Sequence, residues 1–190
     1  MLQNWTVIFS SDEVENAYKQ AKRKVIIAAH TFPFLDGLIL HHALVQLETP
    51  HKLYAKGLFG LGPEWCEEVS NGGFVSREIN KLKLLPQYCR GIFPSGGTVN
   101  WKTGFYNIAR STNATVFLFG LDYKTTQVVI DCTFDPLVCD FQHIKRESGL
   151  RLRRFSPGQL YIPLRILFGY GDECYDVQSK QFTRGTKKTT

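Results

Sequence analysis

The chain has 190 residues, 43% of them hydrophobic and 13% aromatic, which is enough to bury the core of one ordinary domain and too apolar for a disordered or fibrous protein. Its five cysteines, Cys66, Cys89, Cys132, Cys139 and Cys174, are odd in number and contain no CxxC pair, so they indicate neither a zinc site nor a disulfide framework and favour reduced thiols. The net charge is +6, yet residues 145–154 and 180–190 carry +4 each and the remainder −2, a distribution that argues against a general nucleic-acid binder and suits an anionic lipid surface.

At the N-terminus no basic segment precedes an apolar run, and no later window approaches the roughly 18 apolar residues of a membrane span. The expectation is a cytoplasmic protein that reaches a membrane only peripherally. Val14, Ala17, Tyr18 and Ala21 share one helical face, which predicts a surface helix from Asp12 to Lys24. The β-branched run from Lys24 to Ala29 predicts a strand buried on both sides, with His30 at its C-terminal end. Thr31 to Asp36 reads as a turn, and Gly37 to Leu47 as a packed helix closed by Pro50.

Lys52 to Phe59 predicts a second strand and Glu64 to Val69 a short helix, with Gly60, Gly62 and Pro63 in the loop between them. Asn71-Gly72-Gly73 is a turn signal, and Phe74 to Arg77 reads as a brief extended segment. A third strand, Cys89 to Phe93, runs into the turn from Pro94 to Thr98, and the helix from Trp101 to Ser111 stops at Asn113. Thr115 to Tyr123 and Gln127 to Phe134 read as strands joined by Lys124 to Thr126. This alternation predicts an α/β fold, a mostly buried central sheet flanked by helices, in one domain over residues 1–178 with a basic tail over 179–190.

His30 and Asp36 follow a buried strand, where open α/β sheets place reactive groups. A histidine can accept a hydroxyl proton near neutral pH, and a nearby carboxylate can hold its tautomer; the same two residues would equally serve as a hydrogen-bonded histidine and a helix-capping aspartate. The glycines of Pro94 to Thr98 could bring backbone N–H groups to an anion, or could form a turn and nothing more. Arg77 could take a phosphate in two parallel hydrogen bonds or be a solvated charge. His41 and His42 are adjacent on a helix and point about 100° apart, which disfavours a shared metal ion. Phe32, Phe34, Phe59, Phe74 and Phe93 read as core, with some able to line an acyl pocket.

In order, these pieces resemble the lysophosphatidic acid acyltransferase family, in particular its small members without spanning helices. His30-Thr-Phe-Pro-Phe-Leu-Asp-Gly37 is similar to the first family motif, Gly72-Gly-Phe-Val-Ser-Arg77 to the second and Phe93-Pro-Ser-Gly-Gly-Thr98 to the third, and Trp101 to Ala109 resembles the stretch that follows. The likeness covers about residues 24–135. It departs in two places: five residues separate His30 from Asp36 where the family has four, and Ser95 with an additional glycine stands where the family has glutamate.

The resemblance implies a glycerolipid acyltransferase-like fold and transfer of a fatty-acyl group, from acyl-CoA or an acyl-carrier protein, to a hydroxyl of a lysophospholipid or glycerol-phosphate-like acceptor at an anionic membrane surface. His30 would be the base, Asp36 its orienting carboxylate and Arg77 the phosphate ligand. Gly73, Ser95, Gly96, Gly97 and Thr98 would border the substrate, with no metal or cofactor. The missing glutamate also admits a catalytically degenerate member that binds lipid or a protein. A nucleic-acid-binding reading rests on the basic tail alone.

Overall fold

The computed structural model describes residues 4–28, 33–55, 63–69, 72–94, 101–155, 173–176 and 181–184. The elements run β1 (Thr6–Phe9), α1 (Asp12–Gln20), β2 (Arg23–Ala28), α2 (Pro33–Gln46), β3 (Lys52–Ala55), β4 (Cys66–Glu68), α3 (Phe74–Lys83) and β5 (Tyr88–Ile92). They continue with α4 (Gly104–Thr112), β6 (Thr115–Asp122), β7 (Gln127–Phe134), α5 (Phe141–Leu152), β8 (Glu173–Asp176) and β9 (Gln181–Arg184). Seven strands form one mixed sheet in the order β1-β7-β6-β2-β5-β3-β4, while β8 and β9 pair as a separate antiparallel hairpin. Among the described residues of this sheet, only β6 and β7 pair antiparallel. Strands β6, β2, β5, β3 and β4 therefore point the same way, and their C-terminal ends make one edge.

Helices cover both faces, as a largely parallel sheet requires. Alternation along β2 divides its side chains: Ile26 and Ala28 join a core with Tyr18 of α1 and Ile39, Leu40, Ala43 and Leu44 of α2. Val25 and Ile27 join a second core with Leu82 of α3, Phe105, Ile108 and Ala109 of α4 and Ile144 of α5. Local signals set the helix ends. Ser11 Oγ accepts the Val14 N–H at 3.3 Å and Asp140 Oδ1 accepts the His143 N–H at 2.7 Å, capping α1 and α5, and Asn113 closes α4 in the left-handed region at φ 53°.

Three sequence expectations are corrected. Glu64 to Val69 is not a helix: Cys66–Glu68 is an edge strand parallel to β3, with Cys66 opposite Leu53, and three residues are too few for alternation to announce it. Phe74 to Arg77 is not extended but opens α3, whose inward stripe of Phe74, Glu78 and Leu82 has helical spacing only when followed beyond Arg77. Asp36 is not in a turn: α2 begins at Pro33, because proline suits a first turn whose N–H groups have no helical partner. Elements β1, α3 beyond Arg77, α5, β8 and β9 are additional to the predicted set. Among the described residues no helix is long and apolar enough to cross a membrane.

Candidate active site

Helices α2, α3 and α4 each follow a strand, β2, β4 and β5 respectively, that ends on the shared C-terminal edge. Their positive dipole ends therefore point to that edge, which favours an anionic group there. Asp36 lies in the first turn of α2 and is completely buried. Tyr123, one residue past β6, donates its hydroxyl to Asp36 Oδ1. Since β6 pairs in parallel with β2, the two residues come from neighbouring strand ends. Burial raises the Tyr123 pKa, and the Asp36 charge and the bond to it raise it further, so the phenol stays a donor.

Tyr123 is itself fixed from behind. The Trp5 ring meets it edge-on, with centroids 5.2 Å apart and planes at 85°, and Gln46 of α2 donates to the Trp5 carbonyl at 2.8 Å. Sequence reasoning missed Tyr123 as a candidate site residue. The available signal was period-two alternation: Phe117, Phe119, Leu121 and Tyr123 face one core, the one that contains α2.

Arg77 occupies the first turn of α3 on the same edge, exposed, its N–H bonded to the Gly73 carbonyl at 3.1 Å and Nη1 donating to the Gly72 carbonyl at 3.2 Å. Gly72 and Gly73 have φ of +73° and +66°, which L side chains rarely adopt, and a Cβ on Gly73 would lie 3.3 Å from Arg77 Nη1. Along the edge, β2 and β4 are three strand steps apart, roughly 14 Å at the usual spacing. His30, Ser95, Gly96, Gly97 and Thr98 lie outside the described residues. On either side of the last four, the Lys102 N–H donates to the Pro94 carbonyl at 3.0 Å.

His41 and His42 of α2, and His51 just before β3, have structural bonds. His51 Nδ1 faces the Thr49 carbonyl at 2.7 Å, which can only accept, so that nitrogen carries the proton. In neutral His51 the remaining Nε2 then accepts from His41 Nδ1, 2.8 Å away, while His41 stacks on Trp65 with centroids 4.3 Å apart. Burial lowers both pKa values, and for His41 the neighbouring His51 and His42 add to the shift. His42 turns instead to Gln46 at 2.8 Å. Among the cysteines, burial pushes the Cys89 and Cys132 thiols up to about 12 and raises Cys66 as well, so these three are poor nucleophiles near neutral pH. Phe74 and Phe93 pack against the second and first cores respectively, while Phe32, Phe59 and the Phe34 side chain lie outside the described residues.

The chain matches no protein-family model, no curated protein and no solved structure.

Proposed function

We propose that the protein is an O-acyltransferase of the glycerolipid acyltransferase type, moving a fatty-acyl group from acyl-CoA or an acyl-carrier protein to a hydroxyl of a lysophospholipid or glycerol-phosphate-like acceptor. The observation that carries this reading is the buried Asp36 carboxylate. It lies at the C-terminal edge of the sheet's parallel strands, six residues after His30 in the chain, with Tyr123 donating to it.

In this reading His30 takes the acceptor hydroxyl proton as the oxygen attacks the thioester carbonyl. The tetrahedral intermediate then collapses, the carbon–sulfur bond breaks, and the leaving thiolate takes the proton back from the imidazolium. Asp36 orients the imidazole and stabilises its charged form, and Tyr123 holds Asp36 in place. Arg77 binds the acceptor's phosphate at the start of α3, while Gly73 gives its guanidinium room and Ser95, Gly96, Gly97 and Thr98 border the substrate. The high pKa values of the Cys66, Cys89 and Cys132 thiols support direct transfer over a cysteine-bound intermediate. No cofactor is called for.

Purified protein incubated with labelled acyl-CoA or labelled acyl-carrier protein and a panel of lysophospholipids should yield acylated product, and His30→Ala should abolish it. The second reading, a degenerate member that binds lipid or protein, is favoured by Ser95 standing where the resemblance expects glutamate. Absence of product with every acceptor and both donors would select it.

A further inference from the structure

The outer face of α5 carries a cationic groove that the transfer chemistry does not use. Ile144 and Ser148 are fully buried, and Phe141 and Leu152 pack against the second core, so one stripe at three- and four-residue spacing fixes the helix's rotation. The other stripe presents Gln142, Lys145, Arg146, Gly149, Leu150 and Arg153, which line a shallow groove of about 330 Å³. No acid is among them. Gly149 leaves the groove open, since a Cβ built there would meet nothing within 4 Å, and Leu150 is 53% exposed beside the cations. Lys145 to Arg153 spans about 12 Å of helix.

Two contacts separate this face from the rest of the basic segment. Arg151 pairs with the buried Asp131 at 3.1 Å, which offsets its charge. Arg146 keeps a 3.4 Å contact with Glu147, the acid within this stretch, and the cations of the groove still outnumber it. The helix also has a direction relative to the site. Just past it, the Phe155 ring packs so closely over β6 that a Cβ on Gly120 would lie 2.1 Å from it. The C-terminal end of α5 therefore reaches β6 three residues before Tyr123, toward the edge that holds Asp36.

We propose that this face of α5 docks on an anionic lipid bilayer, with a headgroup phosphate seated over Gly149 among Lys145, Arg146 and Arg153 while Leu150 enters the boundary between headgroups and acyl chains. Cations flanking an exposed aliphatic side chain fit that boundary, where charge and apolar burial contribute together. A nucleic-acid backbone would reward the cations only, and the groove lining holds no aromatic ring for a base to stack on. Turning the Asp36 edge toward the bilayer rests on the acyl-transfer reading; the docking does not, and it can be measured without turnover.

The test is co-sedimentation of the full chain with phosphatidylcholine vesicles made with and without phosphatidylserine. The intact protein should bind the anionic vesicles and lose most of that binding between about 0.1 M and about 1 M salt, as the Debye length falls from about 10 Å to about 3 Å. Replacing Lys145, Arg146 and Arg153 by glutamine should weaken binding about 100-fold, at about 1 kcal/mol per cation. Gly149→Glu should weaken it about fivefold on the same basis, whereas Gly149→Ala should keep it. Leu150→Gln should weaken binding at both salt concentrations. Indifference of the intact chain to phosphatidylserine, or unchanged binding by the triple variant, overturns the proposal. So does full competition by a nucleic-acid duplex together with indifference to Leu150→Gln.

Discussion

Asp36 and Glu78 are both buried carboxylates that accept a tyrosine hydroxyl, one on each face of the sheet. Glu78 sits one turn into α3, and its Oε1 accepts from Tyr54 of β3 at 2.5 Å and from Arg90 Nε of β5 at 3.1 Å. Lys81 approaches Oε2 at 3.6 Å and also reaches Glu67 of β4 at 3.1 Å. Burial alone would raise the Glu78 pKa, but the bonds from Tyr54 and Arg90 and the charges of Lys81 and Arg90 outweigh it and hold it below the usual glutamate range. The Glu78 cluster thus ties a helix to three strands. Asp36 instead stands on the edge where the strands end and three helices begin. Burial of a carboxylate does not by itself distinguish scaffold from a candidate site; the groups around it supply the contrast.

The largest expected effect tests the Asp36 side. Asp36→Asn leaves an amide oxygen for Tyr123 to donate to while removing the charge, so acyl transfer should fall about 10² to 10⁴-fold with little change in melting temperature. Full activity in that variant would remove Asp36 from the chemistry and erase the contrast with Glu78. Next comes Arg90→Met, which leaves Glu78 buried without its closest cation. Urea unfolding should show a loss of about 3 to 5 kcal/mol, largely recovered when Glu78→Gln is added. If the single variant is as stable as the parent, the cluster is not the tie described.

The two tyrosines sharpen the comparison. Tyr54→Phe and Tyr123→Phe each delete one hydroxyl donated to a carboxylate, a bond of about 1.5 to 3 kcal/mol. Tyr54→Phe should register in unfolding alone, whereas Tyr123→Phe should also shift the pH profile of acyl transfer, because in the proposed mechanism the carboxylate it releases orients the base. Identical effects of the two on the pH profile would mean that both tyrosines act only through stability.

The smallest effect is in acid. Because the folded-state pKa of Glu78 is depressed, its contribution to stability is complete above the unfolded glutamate value of about 4.3 and is lost as pH falls through the lower folded value. Melting temperature measured from neutral pH downward should fall less steeply below that value for Glu78→Gln than for the parent. Parallel curves would show that Glu78 does not carry the acid dependence.

Much of this fold was legible because the signal was local. Strands β2, β5, β6 and β7 are apolar, β-branched or aromatic runs, and their limits fall within a residue or two of those read from sequence. Helix α4 ended where Asn113 foretold. Helices α3 and α5 escaped because a buried polar residue interrupts the inward stripe of each, Glu78 in α3 and Ser148 in α5. Glu78 is matched by Arg90, twelve residues away.

The sequence by itself determined the α/β class, the sheet's main strands, the excess of positive charge near the C-terminus, and the presence of a histidine and an aspartate six residues apart after a buried strand, since each is a matter of composition or short-range spacing. Only the tertiary structure decided which charges are free to act. Strand order brought Tyr123 across 87 residues onto Asp36, and Arg90 onto Glu78. Helix rotation paired Arg151 with Asp131 and turned Arg146 and Arg153 outward, although all three belong to one basic run. The physical reason is desolvation. A buried polar group must find its partners wherever the chain delivers them, and that delivery depends on sheet order and helix packing, which no local pattern encodes.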